Sequence, residues 1–188
     1  MSATSFASPE LQVRPVSLDD IPHIQSIAKT TWPITYGRIL SAEQLRYMLD
    51  KLYSTQSLTQ QIEHGHNFYM AIEKDNPIGF ASFTHEYDVT YKLQKIYVLP
   101  TVQKTGAGKK LLQTVEDIVR RSNGEILLLN VNRFNPAKGF YEKHGFKVIR
   151  EEDIDIGSGY FMNDYVMGLT LGPSPEGEGG HAVTKNEL

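Results

Sequence analysis

The sequence predicts a mixed α/β fold, an α/β sandwich around a central sheet. Three observations predict it. Apolar residues switch between helical spacing and strand-like runs along the chain. ILLLNV, residues 126–131, is a continuous apolar run of the kind buried on both faces of a sheet. VQKTGAGKKLL, residues 102–112, sets two glycines, one residue apart, between a strand and a helix. The resulting order is β-α-α-β-β-β-α-β-α-β-β.

The elements follow in turn. LQVRPV (11–16) is a short strand. Leu18 to about Thr31 has Ile21, Ile24 and Ile27 along one face, behind a Ser17 cap. Ser41-Ala-Glu-Gln44 is a capping box followed by Leu45, Met48, Leu49 and Leu52. Ser57-Leu-Thr-Gln60 repeats the capping pattern, and Gly65 ends that short helix. FYMAIEK and IGFASFTHEY are two strands joined by a turn at Asp75-Asn-Pro77. YKLQKIYVLP (91–100) is the next strand, and its apolar phase slips: Tyr91 and Leu93 are odd, Ile96 and Val98 even. A slip within a strand predicts a β-bulge that splays it from a neighbour. Leu111, Val115, Ile118 and Val119 then mark an amphipathic helix. After the buried strand, Asn135 to His144 is a short helix with Gly145 at its C′ position. FKVIREEDIDI and NDYVMGLTL close the chain as two strands.

The bulk properties narrow the function. The 188 residues fit one domain, residues 10–171. Composition predicts a flexible N-terminus at 1–9 and a disordered Gly/Pro/Glu-rich tail at 172–188. With no cysteine there is no disulfide, thiolate nucleophile or Cys-ligated metal, and no metal site is expected. The net charge of −3 argues against nucleic acid as partner. No apolar run approaches the ~20 residues of a membrane span. MSATSFASPE lacks the features of a signal peptide, so the expected compartment is the cytoplasm, and the ER-retention look of the final KNEL carries little weight.

Counting positions excludes two phosphate-loop readings. A Walker A loop needs Gly at 103 and Ser or Thr at 110, where Gln103 and Lys110 stand. A dinucleotide fingerprint on Gly106-x-Gly108 needs Gly or Ala at 111, where Leu111 stands. What remains is a glycine turn that brings backbone amides and a helix N-terminus close to an anion, with Lys104, Lys109 and Lys110 nearby. The chemistry fits a phosphate or pyrophosphate.

The strand LQKIYVLP, the loop VQKTGAGKKLL, the strand LLLNVN and the segment NPAKGFYEKHGF together resemble the GNAT superfamily of acyl-CoA N-acyltransferases. The resemblance covers about 10–171 and implies a mostly antiparallel mixed sheet with a splayed, bulged fourth strand. Residues 32–62 and FMNDYVMGLTL are more loosely similar to bacterial polyamine acetyltransferases. The implied co-substrate is acetyl-CoA. Its pyrophosphate would lie on Gln103, Lys104, Thr105, Gly106, Ala107, Gly108 and Lys109. Its pantetheine would pair with backbone near Tyr97 and Val98, with Asn130 and Asn135 in reach.

The implied reaction is direct attack of an amine on the acetyl thioester in a ternary complex. Tyr141 stands where the family carries its general acid, although its spacing also suits a core face. Many relatives carry a basic Glu where Gln94 stands, and Gln cannot accept the proton. His85 and Glu86 are the candidate bases. Trp32, Tyr36 and Tyr87 lie in segments that wall the acceptor pocket. The acidic run Glu151, Glu152, Asp153 and Asp155, with Asp164, is either a solvated face or an attraction for a cationic amine. The expected acceptor is a small amine, polyamines first. Alternatives are a protein N-terminus or lysine, or a non-catalytic CoA-sensing role. A homodimer is a family expectation.

Overall fold

Period-two and period-3.6 segments resolve into seven strands and five helices, with all three helices read before the second strand present, one more than the summary order counts. The computed structural model describes residues 11–102 and 105–172. The expectations for residues 1–9 and for the tail beyond 172 lie outside the described residues. β1 (Gln12–Pro15) leads to α1 (Ile21–Tyr36), α2 (Ala42–Tyr53) and α3 (Thr55–Glu63). β2 (Asn67–Glu73), β3 (Asn76–Tyr87) and β4 (Thr90–Val98) come next. α4 (Ala107–Arg121), β5 (Ile126–Asn132), α5 (Lys138–Lys143), β6 (Lys147–Gly157) and β7 (Tyr160–Thr170) complete the domain. The sheet order is β1-β2-β3-β4-β5-β7-β6. Every neighbouring pair is antiparallel except β4 and β5.

The helix starts follow from local hydrogen bonding. A 3-10 turn, Leu18–Asp20, precedes α1. The Asp20 carboxylate accepts from the Ser17 amide and from both terminal nitrogens of Arg14, each at 2.8 Å. Ser41 Oγ accepts from the Gln44 amide at 3.1 Å and starts α2 as expected. The cap of α3 is Ser54, not Ser57: the Ser57 amide donates to Ser54 Oγ. Ser54 is extended (φ −60°, ψ 153°), so it ends one helix and begins another.

α1 also runs past its expected end at Thr31, through Pro33 to Tyr36. Proline leaves the carbonyl four residues earlier without its amide. Here that residue is Lys29, which is exposed. Burial of Trp32 and Tyr36 carries the helix onward.

The sheet separates two cores. Leu111, Leu112, Val115 and Val119 of α4 pack on Phe83, Leu93, Leu127 and Leu129. On the opposite face α1 and α3 bring Ile24, Ile27, Trp32 and Leu58 onto Phe68, Met70 and Phe80. Each such burial contributes about 1.5–3 kcal/mol.

The phase slip in β4 is a bulge. Ser82 faces Lys95 and Phe83 faces Leu93, leaving Gln94 as the extra residue. Tyr91 and Leu93 before it, and Ile96 and Val98 after it, all reach the α4 core, so one extra residue restores the phase. β4 pairs with β5 only over Thr90–Leu93. Beyond the bulge the two strands part.

Candidate active site

The parting of β4 and β5 opens a cleft of about 650 Å³. One wall is the β4 edge from Gln94 to Val98, and the other is Leu129, Asn130 and Val131 of β5. The first turn of α4, then Phe140 and Tyr141 of α5, close one side, and Thr31, Ile34, Thr35 and Tyr36 of α1 approach the other.

The α4 end is built for an anion. Gly106 is in the left-handed region (φ 92°), which admits a side chain only at a cost. The Lys110 amide donates to the Gly106 carbonyl at 2.9 Å, the first helical bond. The amides of Ala107, Gly108 and Lys109 lie before any intrahelical acceptor, and among the described residues no side chain caps this end. The helix dipole adds partial positive charge there. A Cβ on Gly108 would lie 3.8 Å from Val98 Cγ2 and Phe140 Cζ, so its absence leaves open floor beneath the strand edge.

Gly106, Ala107, Gly108, Lys109, Tyr97, Val98, Asn130 and Asn135 all line the cleft. Thr105 does not: it is exposed and its hydroxyl donates to the Val102 carbonyl. Gln103 and Lys104 lie outside the described residues. The donor set, bare amides beside an unpaired strand edge, fits a pyrophosphate followed by an extended amide-bearing arm.

Tyrosines dominate the middle of the cleft. Tyr36 and Tyr97 share a hydrogen bond at 3.3 Å, and the Asn135 amide reaches the Tyr36 hydroxyl at 3.5 Å. Asn135 Oδ1 also accepts from the Ala137 amide, which turns the chain into α5. Tyr141 lines the cleft, and its hydroxyl has no hydrogen bond among the described residues. Burial, reinforced by Tyr36, pushes the Tyr141 phenol well above its ordinary value. It therefore stays protonated across the neutral range. Trp32 is fully packed, stacking near Tyr36, Tyr53 and Tyr97, and supports the cleft from beneath without lining it.

The candidate bases lie apart from the cleft walls. His85 is exposed, bonds the Asp88 carbonyl at 2.8 Å and packs on Tyr91. Tyr91 belongs to the α4 face of the sheet, so His85 points to the opposite side from Gln94. Tyr87 is 62% exposed at the strand end and does not line the cleft. Glu86 is exposed but shares the α1 face: Gln94 donates to Thr84 Oγ1 at 2.9 Å and to Glu86 Oε1 at 3.4 Å.

The sequence pattern grouped Asp164 with a surface acidic run, and the structure separates it. Glu151 and Asp153 are exposed and pair with Arg133. Asp164 is buried, opposite Asn132 on β5 and Glu152 on β6. Strand alternation puts it on the face of Asn130 and Asn132. Burial raises its carboxyl to about 6, opposed by the Asn130 amide, Lys92 and Arg133. The signal available in sequence was a single acid ahead of the apolar run in NDYVMGL, a position alternation alone leaves on either face.

The geometry agrees with comparison to known proteins. Residues 38–161 match the family model described as an acetyltransferase (GNAT) domain. Spermidine N(1)-acetyltransferase of Thermoplasma acidophilum is 28% identical over 158 residues, covering 81% of this chain and 95% of that protein. Peptidyl-lysine N-acetyltransferase YjaB of Salmonella typhimurium is 38% identical over 90 residues, covering 47% of this chain and 55% of that protein. The solved PaiA N-acetyltransferase of Thermoplasma acidophilum, in complex with coenzyme A, superposes with a TM-score of 0.73 at 26% identity, covering 86% of this chain and 99% of that one. Among the described residues no helix is long and apolar enough to cross a membrane, and no cluster of ligands for a metal occurs. A bulged, splayed strand, a glycine-started helix and a matching domain model lead to one conclusion: the chain belongs to the GNAT family of acetyl-CoA-dependent N-acetyltransferases.

Proposed function

We propose that the acetyl acceptor is a small polycationic amine of the polyamine type. The observation that carries this reading is a set of carboxylates just outside the α1 side of the splay, where the cleft's own charged lining residues are Lys95 and Lys109. Glu86 lies beside Gln94, and Asp164 lies buried near Asn130, with Glu152 beyond it. Walls from α1, β4 and β5 suit a narrow cation better than a folded polypeptide. The likeness to a spermidine acetyltransferase supports the same choice.

Acetyl-CoA supplies the activated acetyl thioester. The α4 amides hold its pyrophosphate, and the free β4 edge aligns its arm as an added strand would be aligned. Tyr36 and Asn135 order the wall near the reacting carbonyl. An alkyl amine with pKa ~10.4 must lose a proton before attack, at a cost of roughly 4–5 kcal/mol at pH 7. Tyr141 gives its phenolic proton to the departing sulfur. A phenol is suited to this because thiolate leaves with a pKa near ~8.5 and the tyrosine never has to ionise first.

Thiol release from acetyl-CoA against an amine panel tests the reading. Spermidine and spermine should exceed monoamines of similar length by tenfold or more in kcat/KM. Turnover confined to lysine-bearing or N-terminal peptides would overturn it in favour of protein acetylation.

A further inference from the structure

The cleft residues proposed so far include an acid and no base. Gln94 occupies the bulge, His85 faces away, and Glu86 is exposed. Among the described residues only two carboxylates are buried, Asp20 and Asp164. Asp20 is fully engaged by Arg14 and Ser17. Asp164 is different. Its Oδ1 is buried without a hydrogen-bond partner. So are both amide atoms of Asn130, which lines the cleft and shares a sheet face with Asp164. Orphaned polar atoms gathered on one face of β5 and β7 are the setting in which a buried water is held, since such a water needs two to four polar partners.

We propose that Asp164 is the proton acceptor for the attacking amine, acting through one water held between it and Asn130. The charged groups around it favour a carboxylate that is neither locked on nor locked off. Burial, with Glu152 on β6, opposes the ionised form, while the nearby Asn130 amide, Lys92 on β4 and Arg133 after β5 favour it. Its charge also reaches the Tyr36 hydroxyl on α1, which borders the cleft. The balance leaves it ionised at neutral pH and still able to take a proton.

The proton count closes. The acceptor enters as an ammonium with three protons on nitrogen. One passes through the water to Asp164, leaving a neutral amine. The nitrogen lone pair forms the bond to the acetyl carbon, and the carbon–sulfur bond breaks with its electron pair on sulfur. Tyr141 gives its proton to that sulfur and regains one from the nitrogen. The third proton remains on the amide. Asp164 returns its proton to solvent past Glu152, which is half-buried on the edge strand β6. The inference rests on N-acetyl transfer and not on which amine is the acceptor.

The test is kcat/KM against pH from 5 to 9, for the native chain and for Asp164→Asn, with any amine the chain turns over. The native profile should break near pH 6 and then stay flat. In the variant the reactive form is the free amine alone. Its rate should be at least tenfold lower at pH 7 and rise about tenfold per pH unit from 6 to 9. Unchanged coenzyme A affinity in the variant separates this from a folding defect. A variant profile parallel to the native one would overturn the assignment. So would a native profile that climbs through pH 6 without a break, a result that needs no variant at all. Use of an unexpected amine would revise the acceptor and leave this comparison intact.

Discussion

Tyr141 sits in the α4 core and at the cleft wall at once, and its two surfaces make different predictions. The ring touches Phe140 and Phe146 edge-on, so Tyr141→Phe keeps its packing. The hydroxyl has no protein partner to lose among the described residues. The substitution should therefore leave the melting temperature within about a degree and lower kcat tenfold or more, on the ~10²–10⁴ scale of general acids. Unchanged kcat would return Tyr141 to a packing role. Asp164 predicts the reverse pairing of effects. Its carboxyl, raised to about 6, binds a proton in the folded chain between pH 4 and 6 that the unfolded chain has already released. Stability therefore falls as pH rises through that window, and above it the buried charge is a standing cost. Asp164→Asn should stabilise the chain by about 1 kcal/mol at pH 7.5 and by almost nothing at pH 4, measured by denaturant unfolding. A more stable and less active variant is the pattern expected of a functional rather than a structural acid. Residues such as these were only half legible in sequence. Tyr141 was marked by its neighbours in FYEKHGF. Asp164 was hidden among surface acids, because burial depends on which strand covers which.

At the scale of elements, the glycine turn and the bulge were both readable, for a common reason. Each needs a local departure from regular spacing, and spacing is what a sequence displays. The prediction for the turn separates its two glycines. Gly106 adopts φ 92°, so Gly106→Ala strains the backbone by about 1 kcal/mol. Gly108 has ordinary helical geometry, and an added methyl meets only van der Waals contacts at 3.8 Å. Gly108→Ala should thus keep or slightly raise stability while raising KM for acetyl-CoA, because the methyl fills the floor of the cleft. Calorimetric coenzyme A binding beside a thermal melt checks both halves. The helix boundaries were less legible. The expected end of α1 at about Thr31 fell short of Tyr36, because burial of Trp32 and Tyr36 carries the helix through Pro33, and that extension brings Thr35 and Tyr36 to the acceptor side. The cap at Ser54 was misassigned to Ser57 because two serines compete within one turn, and only the extended backbone at Ser54 decides between them.

For the whole molecule, the sequence pattern settled the architecture because seven strands of differing polarity admit few arrangements. It settled less about the acceptor side, where α1, β5, β6 and β7 meet from distant parts of the chain. The splay between β4 and β5 has one more consequence. Over residues 94–98 the sheet is left without its inner neighbour, as if a strand had been omitted from the middle of the protein. The donor substrate is then part of the fold in thermodynamic terms, since whatever completes that gap binds the native chain and not the unfolded one. Hydrogen exchange should register this directly. Saturating coenzyme A should slow amide exchange along Gln94–Val98 and the first turn of α4 together, while β1 and β2 keep their rates. Protection would thus be confined to the strands and helix end that border the gap, as the missing strand's own neighbours.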